Sequence, residues 1–79
     1  MEIKILGSGC EKCERLEAVT RAATGELGID AVFEKVTDPA EIASWGVMAT
    51  PALVVDDEVV VSGRVPSGDD VRQLLSARG

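Results

Sequence analysis

The feature that most constrains this chain is a change of period in its first third. Ile3 to Leu6 reads as a short buried strand after the charged Glu2. Gly7, Ser8 and Gly9 interrupt it. From about Glu11 the spacing becomes helical: Leu16, Val19, Thr20, Ala23 and Leu27 recur at steps of three or four, with Glu14, Glu17, Arg21 and Glu26 mostly between them. Gly28 stands where a left-handed cap would end that helix. Ile29 to Val36 reads as a second strand. Two strands joined through a helix are expected to lie parallel, with a right-handed crossover.

The remainder completes the order β-α-β-α-β-β-α. Asp38-Pro39 is an N-cap followed by proline at the first helical position, opening a short helix to about Trp45 that Gly46 ends. Ala52 to Val55 is an apolar strand, Asp56-Asp57-Glu58 a polar turn, and Val59 to Val61 the returning strand of a hairpin that Gly63 closes. Ser67 with Asp70 resembles a capping box for a last helix with Val71, Leu74 and Leu75 on one stripe. The expected fold is α/β: a four-stranded mixed sheet with helices on both faces, in one domain over residues 1–79.

Composition narrows the function. At 79 residues the chain has room for one domain. Phe33 and Trp45 are its only aromatic residues, so the core must be aliphatic. A formal net charge of −6 repels a phosphate backbone, and nucleic acid is not expected as a partner. No apolar run approaches the roughly 18 residues of a membrane span, and MEIKIL has no signal-peptide layout. A cytoplasmic protein is expected, and in that compartment structural disulfides are rare.

Cys10 and Cys13 are the only cysteines, and there is no histidine. Cys10 falls at the mouth of the first helix and Cys13 one turn inside, on the same face. A helix N-terminus carries partial positive charge and favours a thiolate, the species that attacks disulfides. Lys12 favours the thiolate; Glu11 and Glu14 oppose it. Other readings exist. Structural zinc wants four protein ligands, which here would require a second chain. A structural disulfide would close too small a loop to remove much chain entropy. A Cu(I) module of the heavy-metal-associated type also places Cys-x-x-Cys between a first strand and a first helix. That family ends on a strand, however, whereas this chain ends on a helix, and it has no use for Thr-Pro opening a strand.

Taken together, GCEKC after a first strand and GVMATPALVVDDEVVVSGRVPS farther on closely resemble the small thioredoxin/glutaredoxin-like redox-active disulfide proteins of the thioredoxin superfamily. The resemblance spans nearly the whole chain. It implies a minimal thioredoxin-like fold and a thiol–disulfide oxidoreductase, with a Cys10–Cys13 redox-active disulfide and no other cofactor or metal. Cys10 would be the nucleophile and Cys13 the resolving cysteine. Pro51 would be the cis-proline facing them, Thr50 would offer its backbone to substrate, and Gly63 would lie near the same surface. Protein disulfides would be substrates, a thioredoxin-reductase-type protein the electron donor, and the chain a monomer; an interaction domain that keeps the fold without turnover is the alternative beside the metal-binding module. Two departures stand out. Gly9 replaces the family's Trp, and Glu11-Lys12 its Gly-Pro. No acid stands on the first strand to take the proton of Cys13, since Ile3, Ile5 and Leu6 are apolar and Lys4 is cationic. Glu14, Glu17 and Glu26 read as a solvated helix face, Trp45 as core or half-core before a shield over the disulfide, Met48 as a gap-filler first and a substrate-groove lining second, and the glycines of the Gly-Ser-Gly stretch as residues that turn the chain.

Overall fold

A computed structural model describes residues 1–7 and 11–78. The elements are β1 (Glu2–Leu6), α1 (Glu11–Leu27), β2 (Val32–Val36), α2 (Pro39–Ser44), β3 (Ala52–Val55), β4 (Glu58–Ser62) and α3 (Gly68–Arg78). The four strands form one sheet in the order β2-β1-β3-β4. β1 and β2 are parallel; β1 with β3 and β3 with β4 are antiparallel. This is the expected mixed sheet of a minimal thioredoxin-like fold.

Alternation along the strands sends side chains to both faces. Ile3, Ile5, Leu53, Val55 and Val61 form one core with Leu16 and Ala23 of α1 and Val71 and Leu75 of α3. Leu6, Val36, Ala52 and Val54 form a second with Ile42 of α2, and Trp45 packs against it. Helices therefore cover both faces. Arg72 ties α3 to α1, bonding Glu26 at 2.8 Å and Asp69 of its own helix.

The local signals act as their chemistry requires. On α1 the buried positions are Cys13, Leu16, Thr20, Ala23 and Thr24, while Leu27 at the helix end is largely exposed. The two threonines are tolerated there because their hydroxyls donate back to helix carbonyls, Thr20 to Leu16 at 2.7 Å and Thr24 to Arg21 at 2.9 Å. Gly28 has φ +66. Its N–H donates to Gly25 O and that of Ile29 to Thr24 O, the paired bonds of a Schellman cap. That cap corrects one expectation: Ile29 to Ala31 are used in leaving the helix, and β2 starts only at Val32. Asp38 caps α2, its carboxylate accepting from Ala40 N at 2.9 Å. Ser67 Oγ accepts from Asp70 N at 3.2 Å at the start of α3.

The hairpin turn is tighter than expected. Val55 faces Glu58 across it, so Glu58 belongs to β4 and the turn is Asp56-Asp57 alone. Both have positive φ, 48 and 66, as a two-residue type I′ turn needs. Asp56 also binds Glu2 in both directions, through its backbone N–H at 2.8 Å and its carboxylate at 2.9 Å.

Leu75 is fully covered between the sheet and α1. Leu75→Ala is expected to lower unfolding free energy by about 2–5 kcal/mol, measured by urea denaturation. A loss near zero would mean that α3 does not close this core.

Candidate active site

Cys13 is the third residue of α1 and only 6% exposed. Its sulfur lies over Gly7, the residue that follows β1. A Cβ at position 7 would stand 2.1 Å from Cys13 Sγ and 3.9 Å from Pro51 Cα. Gly7 is therefore the thin spacer around which the two motifs meet. It bends the chain after β1, as its sequence context suggested, and it is also buried, its N–H donating to Val36 O at 2.9 Å and continuing the β1–β2 ladder. What position 7 needs is space for the thiol. A glycine where a strand end meets a helix is the available signal for such an approach, but nothing in the sequence names the neighbour.

The second motif closes in from β3. The Thr50–Pro51 peptide is cis. Pro51 is fully buried and Thr50 exposed. Gly63, after β4, has φ +76, and its N–H donates to Pro51 O at 2.8 Å. A Cβ there would lie 3.1 Å from Ala49 Cβ. Gly63 thus braces the 49–51 segment from behind. On the first turn of α1, Lys12 is exposed and Glu11 pairs with Arg15 at 3.0 Å. Cys10 and Gly9 lie outside the described residues.

Behind Cys13 is a cavity of about 50 Å³ lined by Ile5, Gly7, Cys13, Glu14, Glu17, Lys35 and Thr37. This volume is large enough for water. Glu17 here departs from its expected place on a solvated face. Its side chain is only 16% exposed, with one carboxylate oxygen 2.9 Å from Lys35 Nζ and the other 2.9 Å from Arg21 Nε. Arg21 in turn lies 4.3 Å from the Phe33 ring centroid. The hydrogen bond from Lys35, then that from Arg21, holds the Glu17 carboxyl below its ordinary range, with burial opposing. Sequence pattern missed this residue because its main partner comes from β2, on another element.

On the other side of the sheet end, an open groove of about 270 Å³ runs along Thr37, Pro39, Ile42, Ala43, Val47, Met48 and Thr50. Met48 is 99% exposed on its rim. It fills no core gap, contrary to the first expectation, because the chain between α2 and β3 carries it outward to the groove. Trp45 is half-buried, with Lys4 Nζ 4.8 Å from its ring centroid.

Two outcomes are expected. Gly7→Ala must displace Cys13 or the strand end, at a cost of about 1–3 kcal/mol, whereas Gly25→Ala, with open space around it in α1, gains up to about 1 kcal/mol; equal responses in thermal unfolding would refute the spacer role. Glu17, its folded-state pKa lowered, adds stability that is present above the ordinary carboxylate pKa and is lost as pH falls through the lowered value. The stability gap between wild type and Glu17→Gln should therefore shrink on acidification. A gap independent of pH would exclude this ion pair as its source.

Comparison with known proteins places the chain. The family described as "Thioredoxin domain" matches residues 1–76. A thioredoxin of Methanothermobacter thermautotrophicus is 45% identical over 76 residues, covering 96% of this chain and 99% of the relative. A thioredoxin of Methanocaldococcus jannaschii is 43% identical over 75 residues, covering 95% of this chain and 86% of the relative. With its sheet order, its two helical layers and this extent of identity, the chain belongs to the thioredoxin family.

Proposed function

We propose that the protein is a thiol–disulfide oxidoreductase whose Cys10–Cys13 pair exchanges electrons with protein disulfides. Kinship with proteins named thioredoxin supports the reaction type. The observation that carries the finer reading is the convergence on Gly7: a buried cysteine sulfur on one side and the proline of a cis Thr-Pro peptide on the other. A metal-binding Cys-x-x-Cys module is not favoured, since the chain closes its core with α3 and belongs to the thioredoxin family.

In the proposed cycle the Cys10 thiolate attacks one sulfur of a substrate disulfide. A Cys10–substrate bond forms, the substrate S–S bond breaks, and the departing thiolate takes a proton. Cys13 then loses its proton and attacks Cys10 Sγ. The second substrate thiol leaves, and the Cys10–Cys13 disulfide remains. A thioredoxin-reductase-type donor returns two electrons and two protons. Apart from the redox disulfide, no cofactor or metal is needed for these steps.

Thr50, exposed beside buried Pro51, offers its backbone to an extended substrate segment, giving affinity through main-chain hydrogen bonds. Gly63 borders the same strip and fixes its height through the bond to Pro51 O. Gly9, Glu11 and Lys12 modulate Cys10 through space and charge. The chain acts as one thioredoxin-like domain over residues 1–79, as a monomer in the cytoplasm. Among the described residues, no helix is long and apolar enough to cross a membrane.

Titration of the dithiol against redox buffers is expected to give one two-electron transition with an intramolecular disulfide. If the pair forms none at any poise, the proposal fails. Cys13→Ser should accumulate mixed disulfides through Cys10, and the captured proteins then identify donor and substrate.

A further inference from the structure

We propose that Lys35, held in place by Glu17, sets the ionisation of Cys13 across the cavity the three residues share. This rests on the reading of Cys13 as the resolving cysteine. That role requires Cys13 to surrender a proton, and burial favours the neutral thiol. The first strand supplies only Ile5 to the cavity, and Gly7 just beyond it carries no side chain.

The charges around Cys13 can be taken element by element. From α1, Glu14 and Glu17 line the cavity, and both oppose a thiolate. Arg21 stands one step behind, on Glu17. Glu11 and Lys12 are on the exposed first turn, Glu11 paired with Arg15. From β1, Lys4 belongs to the other face, near Trp45 and Asp57. From β2 comes Lys35, the one cation among the described lining residues. Thr37 beyond it and Pro51 opposite are uncharged.

Among the described lining residues, a thiolate forming at Cys13 meets two carboxylates and one ammonium. Without Lys35, every charged side chain among the described lining residues would be negative. Lys35 has a flexible stem and is 62% exposed, so it needs an anchor to stay at the cavity mouth. Glu17 provides one at 2.9 Å. The second bond to Glu17, from Arg21, spreads its charge over two cations and so weakens its opposition to the thiolate. Glu17 is thus a positioning residue, and Lys35 the charge that it positions. The cavity has room for a water beside the thiol.

The test reads ionisation alone. In the reduced Cys10→Ser protein Cys13 is the only thiol, and the ultraviolet absorbance of its thiolate is followed against pH. Lys35→Gln is expected to raise the Cys13 pKa by about one unit, the low end for a nearby charge because Lys35 is partly solvated. At a pH below the pKa this cuts the thiolate fraction about tenfold. Lys35→Met must give the same rise, so that either variant serves if the other fails to fold. Lys35→Arg should leave the pKa near wild type. Glu17→Gln should raise it by clearly less than the neutral Lys35 variants do, since the substitution frees Lys35 but also removes an opposing charge. An unmoved pKa in both neutral Lys35 variants overturns the proposal. So does an equal rise in Glu17→Gln, which would mark general loosening of the site. Because no turnover is measured, failure here is distinct from failure of the dithiol to form a disulfide.

Discussion

The two central strands, β1 and β3, send aliphatic side chains to both faces of the sheet, and the rest of the molecule is arranged to cover them. Ile3 and Ile5 point one way and Leu6 the other; Leu53 and Val55 oppose Ala52 and Val54. A strand buried on both faces needs a layer on each, and the described residues form three helices to supply them. α1 and α3 share one face, leaving the six-residue α2 for the other. That economy explains why the second core leans on Trp45 and Val47, outside any element, and why Lys4 can reach the surface over the tryptophan.

The same covering fixes the site. α1 must start just past the end of β1 to lie across the sheet, which brings its first turn down onto Gly7. β3 runs antiparallel beside β1, so its beginning lies next to the end of β1. Leu6 pairs with Ala52, the first residue of β3, and Pro51 stands just before it. Cysteine and proline thus meet because two neighbouring strands run in opposite directions, although they are far apart in the chain. Gly7 lies against both, and a side chain there would occupy the space of the sulfur.

Signals that act within a few residues were legible in the sequence. The period of α1, the Gly28 cap, the Asp38-Pro39 start and the hairpin all depend on local backbone geometry. Features that depend on distant partners were not. Ile29 to Ala31 are apolar enough for a strand, but the paired cap bonds of α1 claim the first of them. Glu17 carries the same periodic position as its solvated neighbours, and only Lys35 arriving from β2 turns it inward. Met48 has a core residue's hydrophobicity, yet the loop before β3 holds it outside. The motif residues announced a site; that Gly7 separates its halves is a fact of three dimensions.

One detail of the hairpin bears on how the sheet meets other chains. Leu53 pairs with Val61 and Val54 with Val59, so Val60 is an extra residue, a bulge in β4. A bulge sharpens twist and leaves the ladder uneven. β4 is one edge of the sheet. The other, β2, is five residues long and carries Glu34 and Lys35 side by side. Short, charged or kinked edges are poor templates for a foreign strand. The irregularity at Val60 therefore acts as a guard against edge-to-edge aggregation, a hazard for a sheet so rich in valine.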